Sequence, residues 1–423
     1  MSFNIEAIRS QFPALAESDD GKRRIYFDNP AGTQVPQVVV DRMADCLLKR
    51  NANLGGNFPT SKLADELVDD AHLAMADLLN AASADEIIFG QNMTTITLHV
   101  SRSIGRYLSA GDEIILSQMD HDANVRPWML LARDLDLKIQ WLPFDPASFE
   151  FDLTKLDQLL NDRTKLVCVA GASNLTGTIN DVSEICRKAR EAGAWSYIDA
   201  VQSVPHVSTD VQKIGCDFLV CSAYKFFGPH QGILWGRRDV LERLEPYKVR
   251  PASDELPWCF ETGTQSHEGM AGTAAAVDYF ASIGETMAAD YCVVYPDFSG
   301  RRLHVHAAMD CLFDYERNLS AQLIDGLVAI PGVTVQGITA SDALDRRVPT
   351  VSFIHASANP ARIAEALVRR NIFVWSGHNY AIETAKSLGI YDRGGAVRIG
   401  PVHYNNSNEI NEVLNALDDI LRE

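Results

Sequence analysis

In this chain of 423 residues, several apolar runs end in polar residues. Some of these residues have side chains that could take part in chemistry on an amine or an acid. Lys225 lies in "CSAYKFFGPHQGILWG", at the end of one run and among Tyr224, Phe226 and Phe227. Burial among such side chains disfavours the ammonium form, and a neutral amine is a nucleophile. The pattern indicates an imine-forming lysine, although a surface lysine on a turn is the simpler interpretation of this stretch alone.

Other apolar runs also end in polar residues. Those residues are Thr94 and Thr95 after "EIIFGQNM", His121 after "EIILSQMD", Asn174 after "VCVAGAS", Asp199 with Gln202 in "WSYIDAVQ", and Ser222 with Tyr224 before the lysine. Taken singly, the threonines fit a helix cap, the histidine a loop and the aspartate another cap. Because the carboxyl ends of parallel strands meet at one edge of a sheet, we expect the whole set to lie together. The threonine hydroxyls and free N–H groups of a helix start would form an anion site there.

This set of side chains suits pyridoxal phosphate, which needs a lysine for its imine, a carboxylate for its pyridine nitrogen and donors for its phosphate. We expect Lys225 to hold the cofactor as an aldimine and then to move the substrate Cα proton as base and acid. Asp199 would keep the ring nitrogen protonated. His121 would lie flat on the ring, and Gln202 would bond its phenolic oxygen. The phosphate would be held by Thr94, Thr95, Ser222 and Tyr224.

The elements that must position these residues alternate between strands and helices. The strand-like runs are "EIIFG", "EIILS", "KIQWLP", "KLVCVAG", "WSYID", "DFLVCS" and "GILWG". Helical patterns such as "TTITLHVSRSIGRYL" and "DVSEICRKAREAG" separate most of them, which predicts a mainly parallel sheet covered on both faces. The last two runs are linked too tightly for a crossover helix, so "GILWG" is expected to run antiparallel.

The pattern changes from about Asp290 onward. A long helix over about Gly300–Ala329 leads into the runs "VTVQG", "VPTVSF", "IFVW" and "AVRIG", with helices between them. This arrangement is typical of a smaller α+β domain. We therefore expect a large cofactor domain over residues 21–285 and a small domain over 286–423, with the amphipathic segment 1–20 packed against the small domain.

Composition excludes several classes of partner. The 38 Lys and Arg residues are outnumbered by 56 Asp and Glu residues, and a net charge of −18 argues against nucleic acid or an anionic membrane surface. No apolar run approaches the roughly 20 residues that cross a bilayer. Eight scattered cysteines without a CxxC pair indicate free thiols in a reducing cytoplasm. "HVH" at His304–His306 is a poor metal site, because residues two apart on a helix face different ways.

Several further motifs resemble those of the class V aminotransferase family, and within it the cysteine desulfurase-like enzymes. The motifs are "HDANVRPW", "ASNLTGTIND", "IDAVQSVPH", "DFLVCSAYKFFGPHQG", "ETGTQSHEG" and "VRIGPVHYNNSNEIN". The resemblance implies pyridoxal phosphate fold type I, with a seven-stranded sheet in the large domain and a homodimer that shares its active sites. It also implies that Thr264 reaches the partner's phosphate, that Arg398 binds the substrate carboxylate and that Asn174 lies beside the substrate.

The chain departs from the cysteine desulfurase pattern at two places. Tyr224 precedes the lysine in "AYK", where those enzymes have histidine. Their sulfur-accepting cysteine falls on Tyr380 in "VWSGHNYAIETA", and no cysteine follows Cys311. The chain is similar to a subgroup without that cysteine, which implies β-elimination or decarboxylative chemistry on a small α-amino acid. Transamination, and desulfuration that uses a different cysteine, remain open.

Two interpretations from other classes are disfavoured by particular residues. A nicotinamide-dependent α/β dehydrogenase needs a glycine fingerprint after its first strand, and no GxGxxG occurs. A catalytically silent scaffold protein would be marked by loss of Lys225 or Asp199, and both are present. The sequence leaves open whether Lys248 or Arg250 pairs with a substrate carboxylate and whether His378 relays a proton.

Overall fold

The computed structural model describes residues 3–422 of the chain. The α-helices are α1 (Ile5–Arg9), α2 (Gln37–Lys49), α3 (Pro59–Leu79), α4 (Met93–Gly105), α5 (Arg126–Leu135), α6 (Leu153–Leu159), α7 (Val182–Glu191), α8 (Val211–Ile214), α9 (Arg238–Leu241), α10 (His267–Met287), α11 (Gly300–Ala329), α12 (Pro360–Val368), α13 (Ile382–Ser387) and α14 (Ser407–Arg422). The strands are β1 (Ser18–Asp19), β2 (Lys22–Arg23), β3 (Ile25–Tyr26), β4 (Ile87–Gly90), β5 (Glu113–Ser117), β6 (Lys138–Leu142), β7 (Phe144–Asp145), β8 (Glu150–Phe151), β9 (Thr164–Ala170), β10 (Trp195–Asp199), β11 (Phe218–Ser222), β12 (Gly232–Gly236), β13 (Val333–Gln336), β14 (Val351–His355), β15 (Ile372–Phe373), β16 (Trp375–Gly377) and β17 (Ala396–Ile399).

All seven strand-like runs of the first part of the sequence form one sheet, in the order β4-β12-β11-β10-β9-β5-β6. β12 runs antiparallel to both of its neighbours, and the pairs among β11, β10, β9, β5 and β6 are parallel. The expected mainly parallel sheet with an antiparallel "GILWG" strand is therefore confirmed. β4 runs in the same direction as β11, because β12 reverses the direction twice.

The sheet is buried on both faces, and the alternation of side chains along each strand produces this. In β9, Val167 and Val169 pack into one hydrophobic cluster, while Leu166 and Cys168 pack into another on the opposite face. Successive side chains of a strand point to opposite faces, so a continuous apolar run serves both clusters. The carboxyl ends of the strands are thereby held in one fixed edge.

The helices between the strands begin at polar caps in the sequence. Asn92 caps α4, and its Oδ1 accepts a hydrogen bond from the Thr95 N–H at 2.9 Å. Asp181 caps α7 in the same way, accepting from the Glu184 N–H at 3.1 Å. Such caps satisfy N–H groups that have no partner within the helix.

The later part of the chain forms a four-stranded sheet in the order β13-β14-β17-β16, and its neighbouring strands are antiparallel. The run "IFVW" divides into two strands: β15 pairs with β3 near the amino terminus, whereas β16 joins the small sheet. This division ties the small sheet to the segment that carries Pro30.

α11 links the two regions. Its first half contributes Val305 and Leu312 to the cluster under the large sheet, and its second half contributes Leu323 and Leu327 to the cluster under the small sheet. The predicted helix over residues 300–329 is confirmed at both ends.

Near the amino terminus, Arg9 pairs with Glu409 of α14 at 2.9 Å. No helix within residues 3–422 is both long and apolar enough to cross a membrane.

Candidate active site

A cavity of about 850 Å³ opens at the carboxyl edge of the large sheet. The sequence-predicted residues that line it are Thr94, His121, Asn174, Asp199, Gln202, Ser222, Tyr224, Lys225 and Arg398. They come from the ends of β9, β10 and β11, from the loop after β5, from the start of α4 and from β17 of the small sheet. The topology thus gathers side chains that are as much as 304 positions apart in the sequence into one cavity, from Thr94 to Arg398.

Lys225 follows β11 and reaches into the cavity. Its Nζ donates a hydrogen bond to the Pro30 carbonyl oxygen at 2.5 Å and lies 4.8 Å from the centre of the Tyr224 ring. Burial lowers the pKa of Lys225 to about 7, assisted by the charge of Arg398 and opposed by Asp199. A substantial fraction of the amine is therefore neutral near neutral pH, as an imine-forming lysine requires.

Asp199 ends β10 and is almost fully buried. Its Oδ1 accepts a hydrogen bond from the Val201 N–H at 3.0 Å. Burial raises the pKa of Asp199 to about 6, against the effects of that N–H and of Lys225. Gln202 lies one turn further along, and its Nε2 donates to the Pro30 carbonyl at 2.8 Å. The Pro30 carbonyl therefore accepts from two of the predicted cofactor-binding side chains.

His121 presents a neutral imidazole to the cavity. Burial, together with the positive charges of Lys225 and Arg398, lowers the pKa of His121 to about 3. Its Nδ1 accepts a hydrogen bond from the Ala123 N–H at 3.0 Å, so the ring hydrogen lies on Nε2. An uncharged ring with a fixed orientation is suited to stacking on a flat cofactor.

The amino end of α4 points into the cavity beside β11. The Met93 N–H donates to the Ser222 Oγ at 3.3 Å, and Thr94 lines the cavity. Asn92, rather than either threonine, is the helix cap. Thr95 lines a neighbouring cavity of about 750 Å³, so the structure does not bring it to Lys225 within this chain.

Thr264 also lies outside the main cavity. It lines the neighbouring cavity together with Thr95, and His230 and Asn92 border both. Thr264 is exposed in the segment before α10. The predicted contact of Thr264 with a partner's phosphate concerns an assembly of two chains, so it stays a prediction.

Arg398 in β17 crosses from the small sheet to the loop after β9. Its Nη1 donates to the Asn174 carbonyl at 2.8 Å, and Asn174 in turn donates from Nδ2 to the Asn379 carbonyl at 2.7 Å. Arg398 is 4% exposed. Burial lowers the pKa of Arg398 to about 10, opposed by Asp28, so the guanidinium stays charged at neutral pH.

The loop after β16 forms one wall of the cavity, with Trp375, His378, Asn379 and Tyr380. Asn379 and Tyr380 both have positive φ angles, 50° and 60°, a region that residues with side chains seldom adopt. The Tyr380 carbonyl accepts from the Asp122 N–H at 2.8 Å, and its ring stacks on His121 with the centres 5.3 Å apart. Tyr380, the position at which the resemblance to cysteine desulfurases places a cysteine, thus holds a phenol against the imidazole.

The cysteines lie elsewhere. All eight are free, seven are buried and Cys292 is half-buried, and the main cavity has none among its lining residues within the described chain. Burial raises the pKa of Cys168 and Cys221, which are in the strands of the large sheet. Buried thiols with raised pKa values are poor nucleophiles.

Lys248 and Arg250, which the sequence left as possible partners of a substrate carboxylate, lie away from the cavity. Lys248 donates to the Ala252 carbonyl at 2.8 Å and pairs with Asp254 at 3.0 Å. Arg250 is exposed in the same loop. Neither lines the cavity in the described chain.

Sequence reasoning missed Pro30, Asn92, His230 and Trp375. Pro30 acts through its backbone carbonyl, which has no side-chain signature. Asn92 could have been found, since an asparagine three residues before a helical N–H is a standard cap. His230 lies 4.8 Å from the Tyr224 ring, nearly parallel to it, and the spacing "YKFFGPH" does not reveal that contact.

The residues of the cavity fit pyridoxal phosphate. The Asn174 Oδ1 and the Arg398 Nε are buried without a partner in the described chain, which is costly unless a ligand supplies one. A partly neutral amine, a buried carboxylate, a neutral imidazole and a helix amino end meet in one space. These are the groups that the aldehyde, ring nitrogen, ring face and phosphate of this cofactor need.

Comparisons with known proteins agree with this chemistry. A family model described as "Aminotransferase class-V" matches residues 25–292 and 303–413. A cysteine desulfurase of Serratia proteamaculans (strain 568) is 31% identical over 435 residues, which covers 99% of each chain. A cysteine desulfurase of Yersinia pestis (strain Pestoides F) is 36% identical over 299 residues, 67% of this chain and 73% of the relative.

Solved structures share the whole fold. The apo structure of a cysteine desulfurase from Thermococcus onnurineus NA1 superposes with a TM-score of 0.87 at 27% identity and covers 100% of both chains. A cysteine desulfurase from Escherichia coli gives a TM-score of 0.84 at 24% identity, over 100% of this chain and 99% of that one. The predicted fold type I is confirmed. With family and fold matched over nearly its whole length, the chain belongs to the class V aminotransferase family and is an enzyme that uses pyridoxal phosphate.

Proposed function

We propose that the enzyme binds a small α-amino acid and cleaves a bond at its Cα or Cβ. The observation that carries this proposal is the shared cavity of Lys225, Asp199, His121 and Arg398. Pyridoxal phosphate, when bound, supplies an acceptor for the electron pair of the bond that is broken. The side chains of the chain must then hold the substrate and move its protons.

Lys225 and Asp199 have complementary roles in this proposal. Lys225 would attach the cofactor through its neutral amine and would afterwards take the proton from the substrate Cα and return it. Asp199 would face the pyridine nitrogen and hold its proton. The lowered pKa of Lys225, about 7, suits a group that must act both as base and as acid near neutral pH.

Arg398 and Asn174 would hold the substrate. The Arg398 guanidinium is fixed by the Asn174 carbonyl at 2.8 Å, and its buried Nε is free to donate to an α-carboxylate. A planar guanidinium binds a carboxylate through two parallel hydrogen bonds. We propose that His121 covers the ring, that Gln202 bonds its phenolic oxygen, and that Thr94, Ser222 and Tyr224 hold the phosphate.

Cysteine is the first substrate to test, because the relatives named above are cysteine desulfurases. Desulfuration through a persulfide would need a sulfur acceptor, and in this cavity Tyr380 stands where the resemblance places the cysteine of the cysteine desulfurases. We therefore favour direct elimination, in which the Cβ–S bond breaks, HS⁻ leaves and the remaining enamine hydrolyses to pyruvate and ammonia. Decarboxylative cleavage and transamination are the alternatives.

We also propose a homodimer in the cytoplasm, in which Thr264 reaches the partner's phosphate and Thr95, in the cavity beside the active site, helps to hold the phosphate. Two observations support the dimer: both threonines border the second cavity next to the active site, and α2 with its following loop exposes apolar side chains. Those side chains are Val38, Val40, Leu47, Leu48, Leu54 and Phe58. The free cysteines support a reducing compartment. The division at residues 285 and 286 stays a prediction.

A panel of amino acids added to the cofactor-loaded enzyme tests the reaction. Absorbance of the cofactor reports which amino acids bind, and mass spectrometry identifies the products. We expect small amino acids with a leaving group on Cβ to give an α-keto acid and ammonia. Recovery of the aminated cofactor with a keto acid, and no loss of the side chain, would instead identify a transaminase.

A further inference from the structure

The segment that carries Thr264 is anchored by a buried histidine and a buried glutamate. Glu261 directly precedes the exposed residues 262–264 and is 7% exposed, and His72 in the middle of α3 is 3% exposed. The His72 Nε2 lies 2.8 Å from the Glu261 Oε1. The anchor thus joins α3 to the start of the segment that leads into α10.

The hydrogen bonds of His72 indicate an imidazolium. Its Nδ1 lies 2.8 Å from the Val68 carbonyl oxygen, which can only accept, so Nδ1 carries a hydrogen. The Glu261 Oε1 also accepts from the Phe89 N–H at 2.8 Å, which identifies this oxygen as an acceptor. Glu261 as a carboxylate would accept from Nε2, and the ring would then carry a positive charge.

The surroundings of His72 favour this charge. The charged groups that face it are Glu261, from the segment before α10, and Asp69, from α3 itself. Strand β4 presents the Phe89 ring edge-on at 5.0 Å, and Trp258 packs at 5.4 Å. Burial by itself would lower the pKa of His72, but the hydrogen bond and charge of Glu261, with the Val68 carbonyl, raise it overall.

The same carboxylate oxygen also fixes the edge strand of the large sheet. Phe89 lies in β4, which continues through Gly90 to Asn92, the cap of α4. Glu261 therefore holds two segments at once: the one that carries Thr264 and the one that leads to Thr94. Both threonines have proposed contacts with a cofactor phosphate, one within the chain and one across the dimer.

We propose that the ion pair between protonated His72 and Glu261 positions the phosphate end of the cofactor site, so that binding of pyridoxal phosphate weakens when His72 loses its proton. The inference rests on the proposed roles of Thr94 and Thr264. A histidine whose pKa is raised by folding contributes fully below its ordinary pKa, and the contribution is lost as the pH rises through the raised value. Alkaline pH should therefore loosen the site.

Nuclear magnetic resonance of the ring nitrogens tests the ion pair without any use of activity. In the wild-type protein at neutral pH, we expect both nitrogens of His72 to be protonated. His306 is the internal reference, because burial lowers the pKa of that histidine to about 4 and leaves it neutral. Glu261→Gln should return His72 to the neutral form. A neutral His72 ring in the wild-type protein would overturn the proposal.

Titration of pyridoxal phosphate itself tests the consequence for the site. The dissociation constant is measured from slightly acidic to alkaline pH for the wild-type protein and for His72→Gln, whose amide can still donate a hydrogen bond. The ratio between the two proteins cancels the titrations of Lys225 and Asp199, which both share. At the acidic end we expect His72→Gln to bind about tenfold more weakly, since hydrogen bonds to charged groups contribute that much or more.

The ratio should fall toward one as the pH passes the point at which the His72 signal titrates. A ratio of one at every pH would overturn the proposal even if the resonance experiment finds an imidazolium. If His72→Gln fails to fold, the wild-type protein decides, because its affinity must then show a step at the titration point of His72. Failure of the wild-type protein to bind pyridoxal phosphate at any pH would refute the proposed function rather than the ion pair.

Discussion

Lys225 is the residue whose protonation decides whether the cofactor can be attached. Its lowered pKa, about 7, means that the neutral fraction rises as the pH passes that value. In the protein freed of cofactor, modification of Lys225 by an amine-reactive ester should therefore be half-maximal near pH 7. Peptide mapping by mass spectrometry measures the extent of modification at each pH, with the exposed Lys62 as the reference.

After borohydride treatment of the loaded enzyme, the pyridoxyl group should be found on Lys225, and an adduct on another lysine would contradict the assignment.

The substitution Asp199→Asn separates the effect of the negative charge of Asp199 from its structural role. In Asp199→Asn, the side-chain oxygen can still accept from the Val201 N–H, so the turn after β10 should remain. The variant loses the negative charge that would stabilise the protonated ring nitrogen. We expect it to keep the cofactor but to lose about 3 kcal/mol of transition-state stabilisation, roughly a hundredfold in kcat. Turnover at the wild-type rate would reduce Asp199 to a structural cap.

Substitution of Arg398 should weaken substrate binding more than cofactor binding. Arg398→Ala removes the donor to an α-carboxylate and should raise KM for every amino acid by about tenfold or more. Arg398→Lys keeps the charge but not the planar pair of donors, so it should recover only part of the loss. Steady-state kinetics of both variants give the answer. If KM is unchanged in both, Arg398 serves the fold by holding the Asn174 carbonyl, and not the substrate.

At the level of elements, β12 packs closely against the start of α4, beside the cavity. A Cβ added to Gly232 would lie 2.4 Å from the backbone carbon of Asn92. Gly232→Ala must therefore displace the helix start, and we expect about 1–3 kcal/mol of destabilisation and weaker binding of pyridoxal phosphate. Denaturant unfolding and cofactor titration measure the two effects.

Gly236 in the same strand provides the control. The three atoms nearest to a Cβ there would all be side-chain carbons of Leu241, the closest at 2.6 Å, and a side chain can move aside more easily than backbone. Gly236→Ala should leave cofactor affinity unchanged while costing less stability. Equal losses of affinity in both variants would show that the position of α4 is not what Gly232 protects.

The strands of the large sheet were predictable because each is a short apolar run, and helical patterns separate most of them. The strands from "EIIFG" to "GILWG" and the helix Gly300–Ala329 follow from such patterns, and the parallel topology then brings His121, Asp199 and Lys225 to one edge. Local patterns could not predict that "IFVW" would split between two sheets, since its pairing with β3 is a contact across more than 340 residues. The Pro30 carbonyl, which bonds Lys225, was hidden for the same reason.

At the scale of the whole molecule, the positions of the thiols favour direct elimination over sulfur transfer through a persulfide as the proposed reaction. The cavity has Tyr380 and no cysteine among its lining residues within the described chain, and a phenol is a poor sulfur acceptor. We expect incubation with cysteine to leave no persulfide on the protein and to yield pyruvate rather than alanine. Intact-protein mass spectrometry and product assays measure both. Tyr380→Phe is the matched control, which should preserve this outcome because it adds no thiol.

Stoichiometric alanine together with a protein-bound persulfide would contradict that expectation. It would require one of the seven buried cysteines, or the half-buried Cys292, to reach the substrate. Tyr380→Cys then provides the positive comparison, because it places a thiol on the loop that stacks against His121.

The burial of the cysteines also bears on how the enzyme withstands oxidants. An enzyme whose chemistry passes through an exposed thiolate is inactivated by peroxide or by alkylation of that sulfur, because the reactive form is also the vulnerable one. Here the cysteines in the strands are shielded by packing, and burial keeps Cys168 and Cys221 in the protonated state. An active site that relies on an amine, a carboxylate and a guanidinium, with no cysteine among its lining residues in the described chain, has no thiol to lose. We therefore expect its chemistry to continue under oxidative stress that stops a thiol-dependent relative.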